Sequence, residues 1–348
     1  MPLFKGSASP TTFIVVDEQK ASKLSMTKLL EQLELHRFKP VDKSIGRYDS
    51  WGWVNPESPA SKQLDIPNVS GFIILSMRAD LTRVSSSDLR FLTKQRVSEE
   101  CSARNLVRLP KKEKMEIEDE VREELKKKTP PKRHIVQIAW DIDNARLFVH
   151  PLGAGVGDCL ADLLDDTFGV EIMKEHVYTE CVRVLGKVEG VGFFNSYGAD
   201  ALVEKFLPWV DCVIEDAAGD VFIGVGPAKF GMVFTDRVRL ANADGSTMDF
   251  KTRDALRHGA SQLVRDQDYT PTLAKTILFC DEFSVDAVID APKWTLSSLK
   301  LPKKYEGSMG RYDVLERRLG LLADIYQSRT SLFARYLREQ FGVSHAKS

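Results

Sequence analysis

The chain is poor in cysteine, and its five, Cys101, Cys159, Cys181, Cys212 and Cys280, include no C-x-x-C pair. That spacing argues against both a disulfide framework and a structural zinc site, leaving reduced, buried thiols as the expectation. Long apolar runs are missing too. No window approaches the roughly 18 apolar residues of a membrane span, and Met1-Pro-Leu-Phe-Lys-Gly lacks the basic segment and apolar stretch of a secretory signal, so the expected compartment is the cytosol. The histidines, His36, His134, His150, His176, His258 and His345, form no H-x-x-x-H or H-E-x-x-H spacing, and no serine stands in a G-x-S-x-G elbow. Gly224-Val-Gly226 lacks the third glycine of a dinucleotide fingerprint and runs into Pro227. No cofactor or metal is expected. Asp141 and Asp143 alternate as metal-binding carboxylates do in some nucleases, but a strand-end and turn role is favoured, and Asp281-Glu282 could join them only through a tertiary contact.

With 348 residues, 43% hydrophobic and 28% charged, the composition is that of an ordinary globular protein with room for two or three cores. The net charge of −1 conceals a polarised distribution. Residues 78–133 carry sixteen Lys and Arg against eleven Asp and Glu, a surplus of five that the rest of the chain offsets. Local charge governs local partners, because screening confines its reach to about 10 Å at moderate salt.

Phe13-Ile-Val-Val16 reads as a strand, and Met26, Leu29, Leu30 and Leu33 keep the spacing of one buried helical face. Residues 41–70 form an excursion around Trp51-Gly-Trp53, two indoles on one side of an extended segment, where core or interface packing is favoured over base stacking. After a strand at 72–77, Ser85, Ser86 or Ser87 can cap a helix running to about Arg108, which Pro110 ends. A second helix spans Lys111 to Lys128 and stops at Pro130-Pro131. The sheet resumes at His134 with a hairpin, His134–Asp143 and Arg146–His150, about Asp143-Asn144. Leu160, Leu163, Leu164, Thr167 and Phe168 mark a helix closed by Gly169, and further helix signals surround 198–206. Residues 210–240 read as β-rich, Ala274–Phe279 as another strand, and Leu315 to Phe341 as a long amphipathic helix opened by a capping box, Asp313 with Glu316.

Along the first arm helix, Arg90, Lys94, Val97, Cys101, Arg104 and Arg108 fall on one stripe. The second is mixed in sign and ends in Lys126-Lys-Lys128, followed by Lys132-Arg133. A solvated charged pair is the bland reading, but the small apolar content of both helices fits an arm reaching outwards.

Several landmarks together resemble RdgC, the bacterial recombination-associated family. They are Leu3-Phe-Lys5, the helix before Trp51-Gly-Trp-Val-Asn-Pro56, Gly71-Phe-Ile-Ile-Leu-Ser-Met-Arg78 before a charged arm, Ala139-Trp-Asp-Ile-Asp143 with Leu147-Phe-Val149, and Leu278-Phe-Cys-Asp-Glu-Phe283. The resemblance implies an α+β fold, antiparallel sheets with a projecting charged helical hairpin, and a homodimer closed into a ring around duplex DNA. It implies restraint of RecA filament formation, and a cytoplasmic, nucleoid-associated protein. The expected division is a central unit of 1–78 with 134–169, an arm at 79–133, and a second α+β unit at 170–348. This chain departs from the family where Pro130-Pro131-Lys132-Arg133 replaces a junction aromatic able to wedge between bases, and where 184–270 match poorly, including Lys229-Phe230 near the second ring contact.

The leading expectation is therefore non-catalytic, sequence-nonspecific binding of double-stranded DNA. Its phosphate-contacting pool is Arg90, Lys94, Arg104, Arg108, Lys111, Lys112, Lys114, Lys126, Lys127, Lys128, Lys132 and Arg133. The alternatives are a protein-interaction scaffold using the charged arm, and a metal-dependent nuclease at Asp141 and Asp143.

Overall fold

The computed structural model describes residues 8–16, 26–216, 222–223, 230–242, 244–251, 269–279, 284–301 and 310–343. Leu3-Phe-Lys5, Gly224-Val-Gly226 with Pro227, Lys229, Cys280 to Phe283, His258 and His345 lie outside them. The described residues form an α+β fold with two antiparallel sheets and eight α-helices. In the first sheet the strands β1 (Thr11–Val15), β2 (Ser50–Val54), β3 (Asn68–Val69), β4 (Phe72–Leu81), β5 (Lys132–Asp141), β6 (Arg146–His150) and β7 (Ile172–Lys174) run in the order β2-β4-β5-β6-β1-β7, with β3 also on β4. Every pairing is antiparallel, so both faces read with a period of two. Ile73, Leu75, Met77, Ala79 and Leu81 of β4, with Val136, Ile138 and Trp140 of β5, face a core closed by α1 (Met26–Leu35) and α4 (Val156–Phe168). Ile74, Ala139 and Phe148 point to the opposite face and join a second core.

Trp53 belongs to the first core, fully enclosed, its Nε1–H donating to Thr167 Oγ1 at 2.8 Å. The packing role expected for that indole is what the fold uses. The turn of the 134–150 hairpin falls at Ile142–Ala145, and Ala145 takes a positive φ of 48°. β5 begins at Lys132, two residues earlier than expected, because its register with β4 continues to Leu81↔Lys132.

The second sheet runs β10-β9-β11-β12-β13, with β8 (Phe222–Ile223) also on β9 (Phe230–Ala241); the others are β10 (Thr247–Phe250), β11 (Thr270–Phe279), β12 (Ser284–Asp290) and β13 (Thr295–Ser297). It shares its core with α5 (Val177–Leu185), α6 (Lys187–Glu204), α7 (Phe206–Asp216) and the long α8 (Arg311–Phe341). Residues 210–216 are thus helical rather than β. Phe206, Leu207, Val210 and Val213 are buried at helical spacing, and that periodicity outweighs the β propensity of the valines. Asp313 is not the cap of α8 but its third residue, and its carboxylate accepts from the Gly310 N–H at 3.0 Å. Among the described cysteines, Cys159 and Cys181 are buried free thiols, whereas Cys101 on the arm is only half-buried.

Candidate nucleic-acid interface

The arm is the connection of the β4–β5 hairpin. Where β4 ends, the Thr82 N–H donates to Asp49 Oδ1 at 2.6 Å, and Ser85 Oγ accepts from the Asp88 N–H at 3.4 Å to cap α2 (Ser86–Ala103). The helix stops at Ala103 because Asn105 adopts the left-handed conformation, φ 52°. The Leu106 N–H then donates to the Cys101 carbonyl at 2.9 Å and the Asn105 N–H to the Ser102 carbonyl at 3.3 Å, a Schellman closure. Arg108 consequently leaves the expected stripe and lies in the connecting loop, and Arg104 is the helix cap.

Helix α3 (Lys111–Lys128) follows Pro110 with the expected limits. Lys126, Lys127 and Lys128 face the negative end of its dipole, and Lys43 Nζ donates to the carbonyls of Lys126, Lys127 and Thr129 at 3.3, 3.0 and 2.6 Å. No residue of α2 is buried, and of α3 only Val121 is. The two helices therefore expose nearly their whole polar surface.

The twelve expected cations divide by what they touch. Arg104 pairs with Glu100 at 3.1 Å and Glu113 at 2.9 Å, Lys126 with Glu123 at 2.7 Å, Lys112 with Glu116 at 3.9 Å, and Arg133 with Asp80 at 3.8 Å. Asp80 is shared, since Arg78 also binds it through Nε at 2.9 Å and Nη2 at 2.5 Å. Arg90, Lys94, Arg108, Lys111, Lys114, Lys127, Lys128 and Lys132 have no ion-pair partner within 4.0 Å among the described residues. Four of these, Arg90, Lys94, Lys111 and Lys114, line one groove of about 570 Å³ between the helices, against the single acid Glu118. Its remaining lining includes Leu89, Val97 and Met115. Stripe counting missed Arg96, which crosses the arm to Glu124 at 3.0 Å, and Arg122, which pairs within α3 with Glu118 at 2.5 Å and Asp119 at 2.6 Å.

Asp141 is buried and accepts from the Asn144 backbone N–H at 3.1 Å and side-chain amide at 2.8 Å, the turn role favoured from sequence; Asp143 is exposed. Among the described residues no group of three or more His, Cys, Asp or Glu side chains is gathered as metal ligands, and no helix is long and apolar enough to cross a membrane.

Residues 15–181, from the first strand through the whole arm and into α5, match the family model described as "Putative exonuclease, RdgC". That match places residues 15–181, just under half of the chain, in the RdgC family. The matched segment carries β2 to β7 of the first sheet, its covering helices and all twelve expected cations, while all of β1 but Val15, the second sheet and α8 lie outside it. No curated protein matches the chain.

Proposed function

We propose that this RdgC-family chain binds double-stranded DNA without sequence preference and without catalysis, gripping phosphates through the arm and limiting the access of RecA to DNA. Membership supports recombination-associated DNA binding in broad terms. The observation that carries the finer reading is the convergence of Arg90, Lys94, Lys111 and Lys114 on one groove without carboxylate partners, which leaves their charge available for phosphates. Each 18-residue helix extends about 27 Å, several phosphate spacings of a duplex. In this reading residues 79–133 project from a central unit of 1–78 and 134–169, 170–348 form a second unit, and two copies close a nucleoid-associated ring in the cytoplasm.

Duplex binding followed by anisotropy across a salt series tests it. Neutralising four phosphates gives a log–log slope on the order of −3.6, about −0.9 for each. Reversing Arg90, Lys94, Lys111 and Lys114 to Glu abolishes that binding; unchanged affinity in this variant would refute the arm as the interface. Slower release from closed circular than from linear duplex, with a dimeric solution mass, tests the ring. Equal DNA affinity with and without the arm favours the scaffold alternative. The word exonuclease in the family description supports a second reading, and Mg²⁺-stimulated loss of duplex ends that Asp141→Asn removes would establish it.

A further inference from the structure

A second cationic site lies away from the arm groove. The segment following α1 folds back beside β2 and encloses a cleft of about 210 Å³. Trp51 and Leu163 are the apolar residues of its lining. Trp53 is sealed in the core, but Trp51, two residues earlier on the same side of β2, is only half-buried and opens to the cleft. On the rim, Lys39 and Arg47 are exposed and have no ion-pair partner within 4.0 Å among the described residues. The other charges are largely engaged. Arg37 binds Glu34 at 3.1 Å and the Ser61 carbonyl at 2.9 Å, and Asp49 accepts from the Thr82 N–H at 2.6 Å and lies 3.8 Å from Arg83. Asp166 is the remaining acid.

The cleft is preformed. The Trp53 N–H donates to the His36 carbonyl at 3.0 Å, the Phe38 N–H to the Trp53 carbonyl at 2.9 Å, and Ser50 Oγ to the Lys39 carbonyl, so the rim is pinned to the strand that carries the indole. A half-buried indole beside two uncommitted cations suits a ligand that is planar at one end and anionic at the other. A bare phosphate makes no use of the indole, and an uncharged aliphatic ligand makes none of the cations. We infer that this cleft binds one nucleotide unit, its base against Trp51 and its phosphate on Lys39 and Arg47. At about 210 Å³ the open cleft takes at most part of one nucleotide, free or within a strand, and not a duplex.

Trp51 supplies its own reporter, since Trp53, Trp140, Trp209 and Trp294 are all buried. Emission of the full chain is titrated with adenosine monophosphate and with a short single-stranded oligonucleotide, in the wild type, Trp51→Phe and the double variant Lys39→Glu, Arg47→Glu. The expected result is saturable quenching that Trp51→Phe abolishes, with half-saturation raised at least about tenfold in the double variant. Quenching by both ligands assigns a free nucleotide as sufficient, and quenching by the oligonucleotide alone assigns a nucleotide within a strand. Absence of saturable quenching by either, its survival in Trp51→Phe, or an unmoved half-saturation in the double variant overturns the assignment. The arm variant with Arg90, Lys94, Lys111 and Lys114 reversed retains the quenching, which separates failure of this site from failure of the arm.

Discussion

Arg96 on α2 and Glu124 on α3 meet through two N–H···O contacts of 3.0 Å, the bidentate pairing in which a guanidinium and a carboxylate fit best. Most other ion pairs of the arm join residues within one helix; this one and Arg104–Glu113 cross between the two. With only Val121 buried along α3 and nothing along α2, the hairpin has little core of its own, and these two bridges are the ion pairs that join its helices among the described residues. The hydrogen bonds from Arg96 hold the Glu124 carboxyl below its ordinary range. Its folded pKa being depressed, the bridge is intact above the unfolded carboxylate range and fades as pH falls through the folded value. Arg96→Glu is expected to speed amide exchange throughout α2 and α3 while leaving the global Tm nearly unchanged, and adding Glu124→Arg restores protection. Unaltered exchange in the single variant would show that the bridge does not hold the arm.

The division of the cations predicts unequal roles in binding. Lys94→Ala and Lys111→Ala remove groups free of carboxylates, so each lowers affinity for any duplex and flattens the salt slope by about one. Arg104, held between Glu100 and Glu113, is already neutralised. Arg104→Ala leaves the slope within error of wild type. A loss as large as that of Lys94→Ala would mean that Arg104 exchanges its glutamates for phosphate on binding.

The limits of α3 were legible because prolines write them, Pro110 before it and Pro130-Pro131 after. The end of α2 was not, since Asn105 signals a left-handed cap only weakly and the basic stripe runs on past it. Sequence identifies where cations are concentrated but not which of them are paired: Arg90 and Arg104 look alike on the stripe, and only the return of α3 brings Glu113 to the second. Lys39 and Arg47 escaped notice for a related reason, being isolated in the chain and brought beside Trp51 by backbone bonds to β2. Residues 210–216 fall in a stretch, extending to 240, that reads as β-rich, and it is the burial of Val210 and Val213 on one helical face, in the core shared with α8 and the second sheet, that decides otherwise.

A close backbone approach fixes that same cleft and gives a stability prediction. A Cβ added at Gly52 falls 2.5 Å from both the nitrogen and the Cα of Phe38, where main chain rather than a flexible side chain has to move. The parallel bridge of Arg37 with Trp53 is the feature displaced. Gly52→Ala is expected to cost about 1–3 kcal/mol, the usual range for overpacking, and to abolish the cleft's nucleotide quenching. Denaturant unfolding measures the first effect. A neutral substitution would mean that the 36–39 segment is free to withdraw from the strand.

A buried ion-pair cluster joins the first sheet to α8. Glu175, fully buried after β7, lies 2.8 Å from Arg146 of β6 and 2.9 Å from Arg329 of α8, and Arg329 also reaches Glu180 at 3.5 Å and the Trp294 carbonyl at 3.2 Å. Burial alone would raise the Glu175 carboxyl; Arg146 and then Arg329 overcome it and hold the group far below the usual carboxylate range. Arg146 and Glu175 are separated by 29 residues and Arg329 by far more, so no local pattern foretells the cluster. Removing one partner from a buried pair leaves uncompensated charge, and Glu175→Gln is expected to cost about 3–5 kcal/mol at neutral pH. A depressed folded pKa means that this contribution is fully present above the unfolded carboxyl pKa, about 4.3, and is lost as pH falls from there toward the folded value. The Tm of the wild type should therefore drop more steeply in acid than that of Glu175→Gln, and the two curves should converge. Parallel curves across the acid range would show that Glu175 is not the ionised centre of this joint.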